Sequence, residues 1–284
     1  MENKTVLVTG GTGGIGRETA RQLARMDARV LVHGRDKGKG AHVLDEIRRD
    51  TCNEKISLYI ADFSSLADIK RMSEDIKREQ AELHVLVNNA GNFYCERLLS
   101  SDGIEMTLAV NHLAPFLLTM LLLDLLKASA PARIVNVASS SHKLIKSVDL
   151  ENLQGETNYD GFTAYSLSKL GNVLFTQSLA DKLNGTGVTV NALHPGVVNT
   201  KLLRKSYDLN GISVEEGAQT SVYLVSSPEV EGVSGKYFKN MRERTASEFS
   251  QDRNFQDAFW KLSKEMVSQF LDYKNPLEGG LRNI

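Results

Sequence analysis

Short runs of β-branched and apolar residues alternate with longer stretches of helical spacing along the chain, and no other feature constrains the fold as strongly. The runs occupy residues 5–9, 29–33, 56–61, 85–88, 134–138, 188–193 and 236–238; the helical stretches occupy 14–26, 39–50, 65–79, 103–127, 163–183 and 213–226. Within 65–79, Leu66, Ile69, Met72 and Ile76 recur at three- and four-residue spacing, the period of one helical face. Strands that alternate with helices need right-handed crossovers, so neighbouring strands run parallel and helices cover both faces. The expected architecture is α/β: a three-layer, doubly wound, mostly parallel sheet in a single domain.

At 284 residues and 41% hydrophobic composition the chain can bury one large α/β core. No repeat or linker divides it. The core is expected over about residues 4–240, with the more polar segment 241–284, carrying a helix at 255–271, as an appendage. Lys+Arg 34 against Asp+Glu 35 leaves a formal charge of -1 and no global field for nucleic acid or an anionic membrane. Cys52 and Cys95 make neither a disulfide framework nor a metal cluster, and the six histidines lack ligand spacing, so no metal site is expected. The apolar stretch 113–126 contains Pro115 and Asp124 and falls short of the roughly 20 residues that span a bilayer. It reads as a buried or interfacial helix. With no signal peptide before the first strand, the expected location is cytoplasmic.

Between the first strand and first helix stand Thr9, Gly10, Gly11, Thr12, Gly13, Gly14, Ile15 and Gly16. Glycine there lets the backbone approach a pyrophosphate, and the following helix offers free N–H groups at its positive end. The second strand runs into Val32, His33, Gly34, Arg35 and Asp36. An acid at the end of that strand would hold the ribose hydroxyls of NAD; glycine and arginine instead favour NADP(H), with NAD(H) left open. Arg17 offers a second cation, and a one-residue shift would make Asp36 the ribose ligand.

Tyr165 and Lys169 stand four residues apart on a predicted helix, hence on one face. An ammonium beside a phenol stabilises the phenolate and suits it to acid–base work, although the same spacing fits an ordinary surface helix. Ser139 follows the strand 134–138, at the end where open α/β sheets bind ligands; its neighbours Ser140 and Ser141 leave the choice of hydroxyl open. Asn88, Asn89, Ala90 and Gly91 follow the fourth strand, and Asn111 interrupts an apolar helix where its amide needs a partner or a water.

Taken together these residues resemble the short-chain dehydrogenase/reductase family over about residues 4–240. The matching elements are the 9–16 loop, Asp62, Asn88 to Gly91, Asn111, Ser139, Tyr165 with Lys169, and His194, Pro195, Gly196 and Thr200, all in the family's order. The separation of Ser139 and Tyr165 (165 − 139 = 26), the stretch Asn152 to Gly155 and the stretch His33 to Asp36 resemble its retinol-dehydrogenase-like branch. Ala138 departs from the first serine of many relatives, and the register puts the catalytic hydroxyl at Ser139.

The resemblance implies a Rossmann-type fold and a proton relay. Tyr165 would exchange a proton with the substrate oxygen, Ser139 would hold that oxygen, Lys169 would bind the nicotinamide ribose, and Asn111 would hold a water linking Lys169 to solvent. The implied cofactor site is Gly10, Thr12, Gly13, Gly14, Ile15, Gly16, Arg35, Asp62, Phe63, Asn89, Ala90, Gly91, Pro195, Gly196, Val198 and Thr200, together with Tyr165 and Lys169. The implied activity is NADP(H)-dependent oxidoreduction of a carbonyl or alcohol on a hydrophobic small molecule.

A catalytically idle NADPH-binding sensor or scaffold is the alternative, against which the intact serine, tyrosine, lysine and asparagine argue. An epimerase or dehydratase would call for a larger substrate domain. Residues 92–99, 141–164 and 200–215 are expected to line the pocket, with Lys201, Arg204 and Lys205 facing an acidic substrate or forming a solvated lid. No nucleic-acid partner and no membrane anchor are expected. The helices 103–127 and 163–183 suggest a homodimer or homotetramer. Apolar Leu117, Leu118, Leu121 and Leu122 fit that, and equally fit burial within one subunit.

Overall fold

A computed structural model describes residues 1–200 and 211–271 of the chain. Eight strands form one sheet: β1 (Thr5–Val8), β2 (Arg29–Gly34), β3 (Ile56–Ile60), β4 (Val85–Asn88), β5 (Ala132–Val137), β6 (Val188–His194), β7 (Tyr237–Lys239) and β8 (Arg242–Arg244). Their order is β3-β2-β1-β4-β5-β6-β7-β8, parallel except for the antiparallel pair β7 and β8. The chain starts in the middle, winds outward through β2 and β3, then crosses β1 to β4. The crevice where the order reverses is where such sheets bind ligands.

Among the described residues seven α-helices accompany the strands: α1 (Gly14–Arg25), α2 (Lys37–Thr51), α3 (Leu66–Glu79), α4 (Met106–Ala128), α5 (Gly161–Lys182), α6 (Val214–Ser226) and α7 (Arg253–Met266). Strand periodicity divides the core into two layers. Leu7 and Leu31 face one cluster with Ile69, Leu117 and Leu174, while Val6, Val8, Val30 and Val32 face the other with Leu23, Ile47 and Leu224. Both faces are therefore covered, and the doubly wound sheet expected from the alternation is the fold.

Three helix starts move by two or three residues from their sequence-based bounds, where capping side chains set them. Asp36 accepts from Lys39 N at 2.8 Å and starts α2 at Lys37; Asp160 accepts from Thr163 N and starts α5 at Gly161. The helix expected from residue 103 begins at Met106, because the carboxylate of Glu105 accepts from the N–H groups of Thr107 and Leu108.

α4 is long and apolar enough to cross a bilayer, yet 83% of its apolar window is buried among α3, α5 and the sheet. Leu117, Leu118 and Leu122 are fully buried and Leu121 is 9% exposed, so the run that suggested a pairing surface is core.

One strand lies outside the sequence-based expectation. β8 is a strand of three exposed charged residues, turned back by Asn240 and Met241, both at positive φ. It carries no apolar signal, and edge strands are commonly charged. The C-terminal helix α7, expected at 255–271, packs on the core: Phe259 is 2% exposed, and Phe259 and Trp260 pack among Phe116, Phe175 and His112 of α4 and α5. The proposed lid residues Lys201, Arg204 and Lys205 lie outside the described residues.

Candidate active site

The site begins at the glycine turn between β1 and α1. Gly10 and Gly14 adopt positive φ of 64° and 51°, a region that favours glycine. A Cβ on Gly16 would lie 2.5 Å from Gly10 O and 2.3 Å from Asn89 Nδ2, so the loop closes only with hydrogen there. At Gly13 and Gly14 the nearest groups are instead Lys39 Nζ and the Thr200 side chain. That arrangement is a cradle of main chain with a cation at its rim, which fits a pyrophosphate.

Two side chains hold this turn. His33 is 3% exposed; its Nδ1 accepts from Gly10 N at 3.1 Å and its Nε2 donates to Ala61 O at 3.1 Å. Burial pushes its pKa down to about 4, which keeps the ring neutral and Nδ1 able to accept. Phe63 stacks on His33 with centroids 4.0 Å apart, so its ring is packing rather than pocket wall. Thr9 Oγ1 accepts from the N–H groups of Asn89 and Ala90, and Asn89 Nδ2 donates to Thr9 O, which ties the glycine turn to the segment after β4.

At the end of β2, a Cβ on Gly34 would meet Thr12 Cγ2 at 2.4 Å, so Thr12 occupies the space an acidic side chain would need. Arg35 is exposed beside this point. Asp36 is engaged as the α2 cap, and Arg17 pairs with Glu46 at 3.2 Å. Asp62 accepts from the N–H and hydroxyl of Ser64 at 2.9 and 2.8 Å.

The catalytic candidates converge beyond β5. Ser139, Tyr165 and Lys169 line one cavity of about 530 Å³, with Ile15, Asn89, Gly91, Pro195, Gly196, Val198 and Thr200 also on its wall. Lys169 Nζ lies 5.6 Å from the Tyr165 ring centroid and donates to Val137 O at 3.0 Å. Burial lowers its pKa to about 8. Ser139, two residues past the end of β5, caps a short turn, its Oγ accepting from Ser141 N at 3.2 Å. Among the neighbouring serines, Ser140 Oγ lies 3.3 Å from His194 Nε2. Phe93, Leu144, Phe162 and Val197 complete an apolar wall, and Phe93 meets the Tyr165 ring edge-on at 5.9 Å.

Asn111 sits in a π-helical turn, Ala109–Leu113, inside α4. Its Oδ1 accepts from Asn92 N at 2.7 Å, and its Nδ2 donates to Asn92 O and Ser168 Oγ. A Cβ on Gly91 would lie 3.3 Å from Asn111 Oδ1 and 3.5 Å from Lys169 Nζ, so the two side chains meet over that glycine. Both ends of the Asn111 amide are bonded within the protein. A water relay at this residue would therefore run through its main chain.

Sequence reasoning placed Thr9 in the loop but missed the bonds its hydroxyl accepts, and missed His33 and Lys39 as neighbours of that loop. Their partners are 23 to 81 residues away for His33 and Thr9; the one local signal was a histidine closing an apolar strand. A larger hollow, about 590 Å³, lies at the opposite end of the strands, where β4, β5 and β6 begin. There the Arg133 guanidinium is engaged by the carbonyls of Leu224, Val225 and Ser227, a structural role.

Comparison with known proteins matches residues 4–210 to the family model described as short chain dehydrogenase. Mouse retinol dehydrogenase 12 is 42% identical over 276 residues, covering 94% of this chain and 87% of that protein. Human retinol dehydrogenase 14 is 41% identical, again over 94% and 87%. Among solved structures, a protein from Mycobacterium paratuberculosis superposes with TM-score 0.77 at 28% identity, covering 94% of each chain. An actinorhodin polyketide ketoreductase with NADPH superposes with TM-score 0.68 at 26% identity, covering 84% of this chain and 97% of that one.

Proposed function

The chain belongs to the short-chain dehydrogenase family, and from that premise we propose that it is an NADP(H)-preferring carbonyl reductase or alcohol dehydrogenase for a hydrophobic small molecule. The observation that carries this reading is the convergence of Ser139, Tyr165 and Lys169 on one apolar-walled cavity open to the glycine cradle. When bound, the nicotinamide supplies the hydride to a carbonyl carbon or takes it from an alcohol carbon.

The protein supplies the rest. In the reducing direction the Tyr165 phenol gives its proton to the substrate oxygen, and the Ser139 hydroxyl holds that oxygen beforehand. The ammonium of Lys169 faces the resulting phenolate. A buried lysine whose pKa is near 8 also gives and takes a proton more readily than a surface one, so it can restore the phenol. The cofactor would be held by the main chain from Gly10 to Gly16, by Asn89, Ala90 and Gly91, by Lys169, and by Pro195, Gly196, Val198 and Thr200.

Preference for NADP(H) rests on the end of β2. Gly34 leaves no room for a repelling acid, Arg35 stands exposed next to it, and Lys39 brings a second cation to Gly13. Lys39 is a better second candidate than Arg17, which Glu46 engages. The ketoreductase neighbour was solved with NADPH. The substrate class rests on Phe93, Leu144, Phe162 and Val197, and on relatives named for retinol, an apolar alcohol.

A panel of apolar aldehydes and ketones, with NADPH consumption followed by absorbance, tests the reading. At least one should be reduced by the parent and not by Tyr165→Phe. NADPH that binds but is never consumed across the panel would instead favour a sensor.

A further inference from the structure

The proposed chemistry uses neither His142 nor His112, yet both are buried beside groups that it does use, and both are tied to the same distant segment. His142 is fully buried. Its Nε2 accepts from the backbone N–H of Ser247 at 3.2 Å. Because that group can only donate, Nε2 is unprotonated, the hydrogen is on Nδ1, and Nδ1 donates to Ser139 O at 2.5 Å. The ring edge of Tyr237 at 4.8 Å closes one side of the imidazole. The ring therefore links the main chain of Ser139 to a residue 108 positions later (247 − 139 = 108).

His112 follows Asn111 in the π turn and is 1% exposed. Its Nε2 lies 2.8 Å from Ser263 Oγ of α7, whose hydroxyl donates to Phe259 O, and its Nδ1 lies 3.4 Å from Asn172 Oδ1, so the closer of the two ring contacts is the one to the C-terminal helix. Gly171 of α5 makes the room: a Cβ there would meet His112 Nδ1 and Phe259 Cε1, each at 2.9 Å. Burial lowers the pKa of both histidines, which keeps both rings neutral.

We propose that the C-terminal segment is a positioning element of the active site, in which Ser247 sets Ser139 through His142 and Ser263 sets Asn111 through His112. The proposal rests on the functional reading above for the roles of Ser139 and Asn111. Neither histidine touches the substrate; both are positioning residues. Two links from one segment, each ending one or three residues from a catalytic candidate, hold the strand-end serine and the helical asparagine against a common reference. A positional error of about 1 Å at such groups costs on the order of 100-fold in rate, so a tether of this kind is read in kcat.

The test is a double-variant cycle on the full chain. Ser247→Pro deletes the donating N–H at a position whose φ of -71° suits proline, and His142→Phe deletes the other end. Each is expected to lower kcat about tenfold while NADPH binding, read by fluorescence, changes less than twofold. The double variant should be no slower than the slower single one, because both cut the same link. Unchanged kcat in Ser247→Pro, or losses that multiply in the double variant, overturns the His142 link even if melting temperatures fall. Ser263→Ala, which removes a single hydroxyl and keeps the helix, should lower kcat several-fold; unchanged kcat overturns the His112 link. A parent protein that reduces no carbonyl overturns the functional reading and this proposal with it, whereas an active parent with unaffected variants overturns the tether alone.

Discussion

At the ends of β1 and β2 the site is made of main chain and glycine, whereas beyond β4 and β5 it is made of buried polar side chains that bond to one another. In the first region the groups offered to a proposed phosphate are N–H groups that every residue carries, and the side chains nearby (His33, Thr9) hold the turn in shape. In the second, Asn88 donates to Asn136 and Thr119, Asn136 donates to Thr176, and Lys169 donates to Val137 O. The first region should therefore be broken by adding atoms, and the second by removing them.

The largest effect is expected from Tyr165→Phe. The ring and its contact with Phe93 stay, but the proton donor goes, so kcat should fall by roughly 10²–10⁴-fold with NADPH affinity retained, as stopped-flow and binding titrations would measure. Turnover within a few-fold of the parent would leave the proposed acid–base role untenable. Next comes Arg35→Ala, which should weaken NADPH roughly tenfold or more and NADH far less; equal losses for both would move the 2′-phosphate away from Arg35, with Lys39 the next residue to test.

Gly16→Ala sharpens the contrast from the other side. One added methyl, pressed against Gly10 O and Asn89 Nδ2, should cost about 1–3 kcal/mol of stability and weaken both cofactors together. A melting temperature equal to the parent's would show that the turn relaxes.

The smallest effect is a gain. Lys169 titrates near 8 in the folded chain, against 10.5 for an ordinary lysine. Below pH 8 both folded and unfolded states hold the proton, and the cost of burying the ammonium is paid in full. Between about 8 and 10.5 the folded state releases it, and stability from this group rises. Lys169→Met removes that cost, so the cofactor-free variant should be more stable by about 1–3 kcal/mol at pH 7, a rise of a few degrees in Tm that fades towards pH 10. Activity should fall in the same variant. A destabilised variant at pH 7 would show that the bond to Val137 O outweighs burial.

The same division explains what the sequence could reveal. Strand and helix order, the glycine turn, and the Tyr165–Lys169 spacing are local patterns, readable within a few residues, and Tyr165 and Lys169 line one cavity whose wall reaches the turn at Ile15. The roles of His33, His112 and His142 depend on partners tens of residues away or more, and nothing adjacent to them announces those partners. Asp36 shows the opposite case: an acid near the expected ribose position proves to be a helix cap, a role legible from its place before Lys37 and Lys39. The C-terminal helix was legible from its spacing, but the polar, charged composition around it gave no sign that its one apolar stripe, with Phe255, Phe259 and Trp260, packs against the core.

The π turn at Ala109–Leu113 has a consequence for how this protein can change over generations. A π turn accommodates one residue more than the helix needs, so the faces of α4 before and after it are out of phase with a simple α-helical count. Deleting a single residue there would leave a continuous helix with its downstream leucines still able to find the core, while swinging Asn111 away from Asn92 and Ser168. Insertions and deletions are usually tolerated in loops and rejected in buried helices; here a buried helix carries a point at which one codon's loss would spare the fold and remove the site.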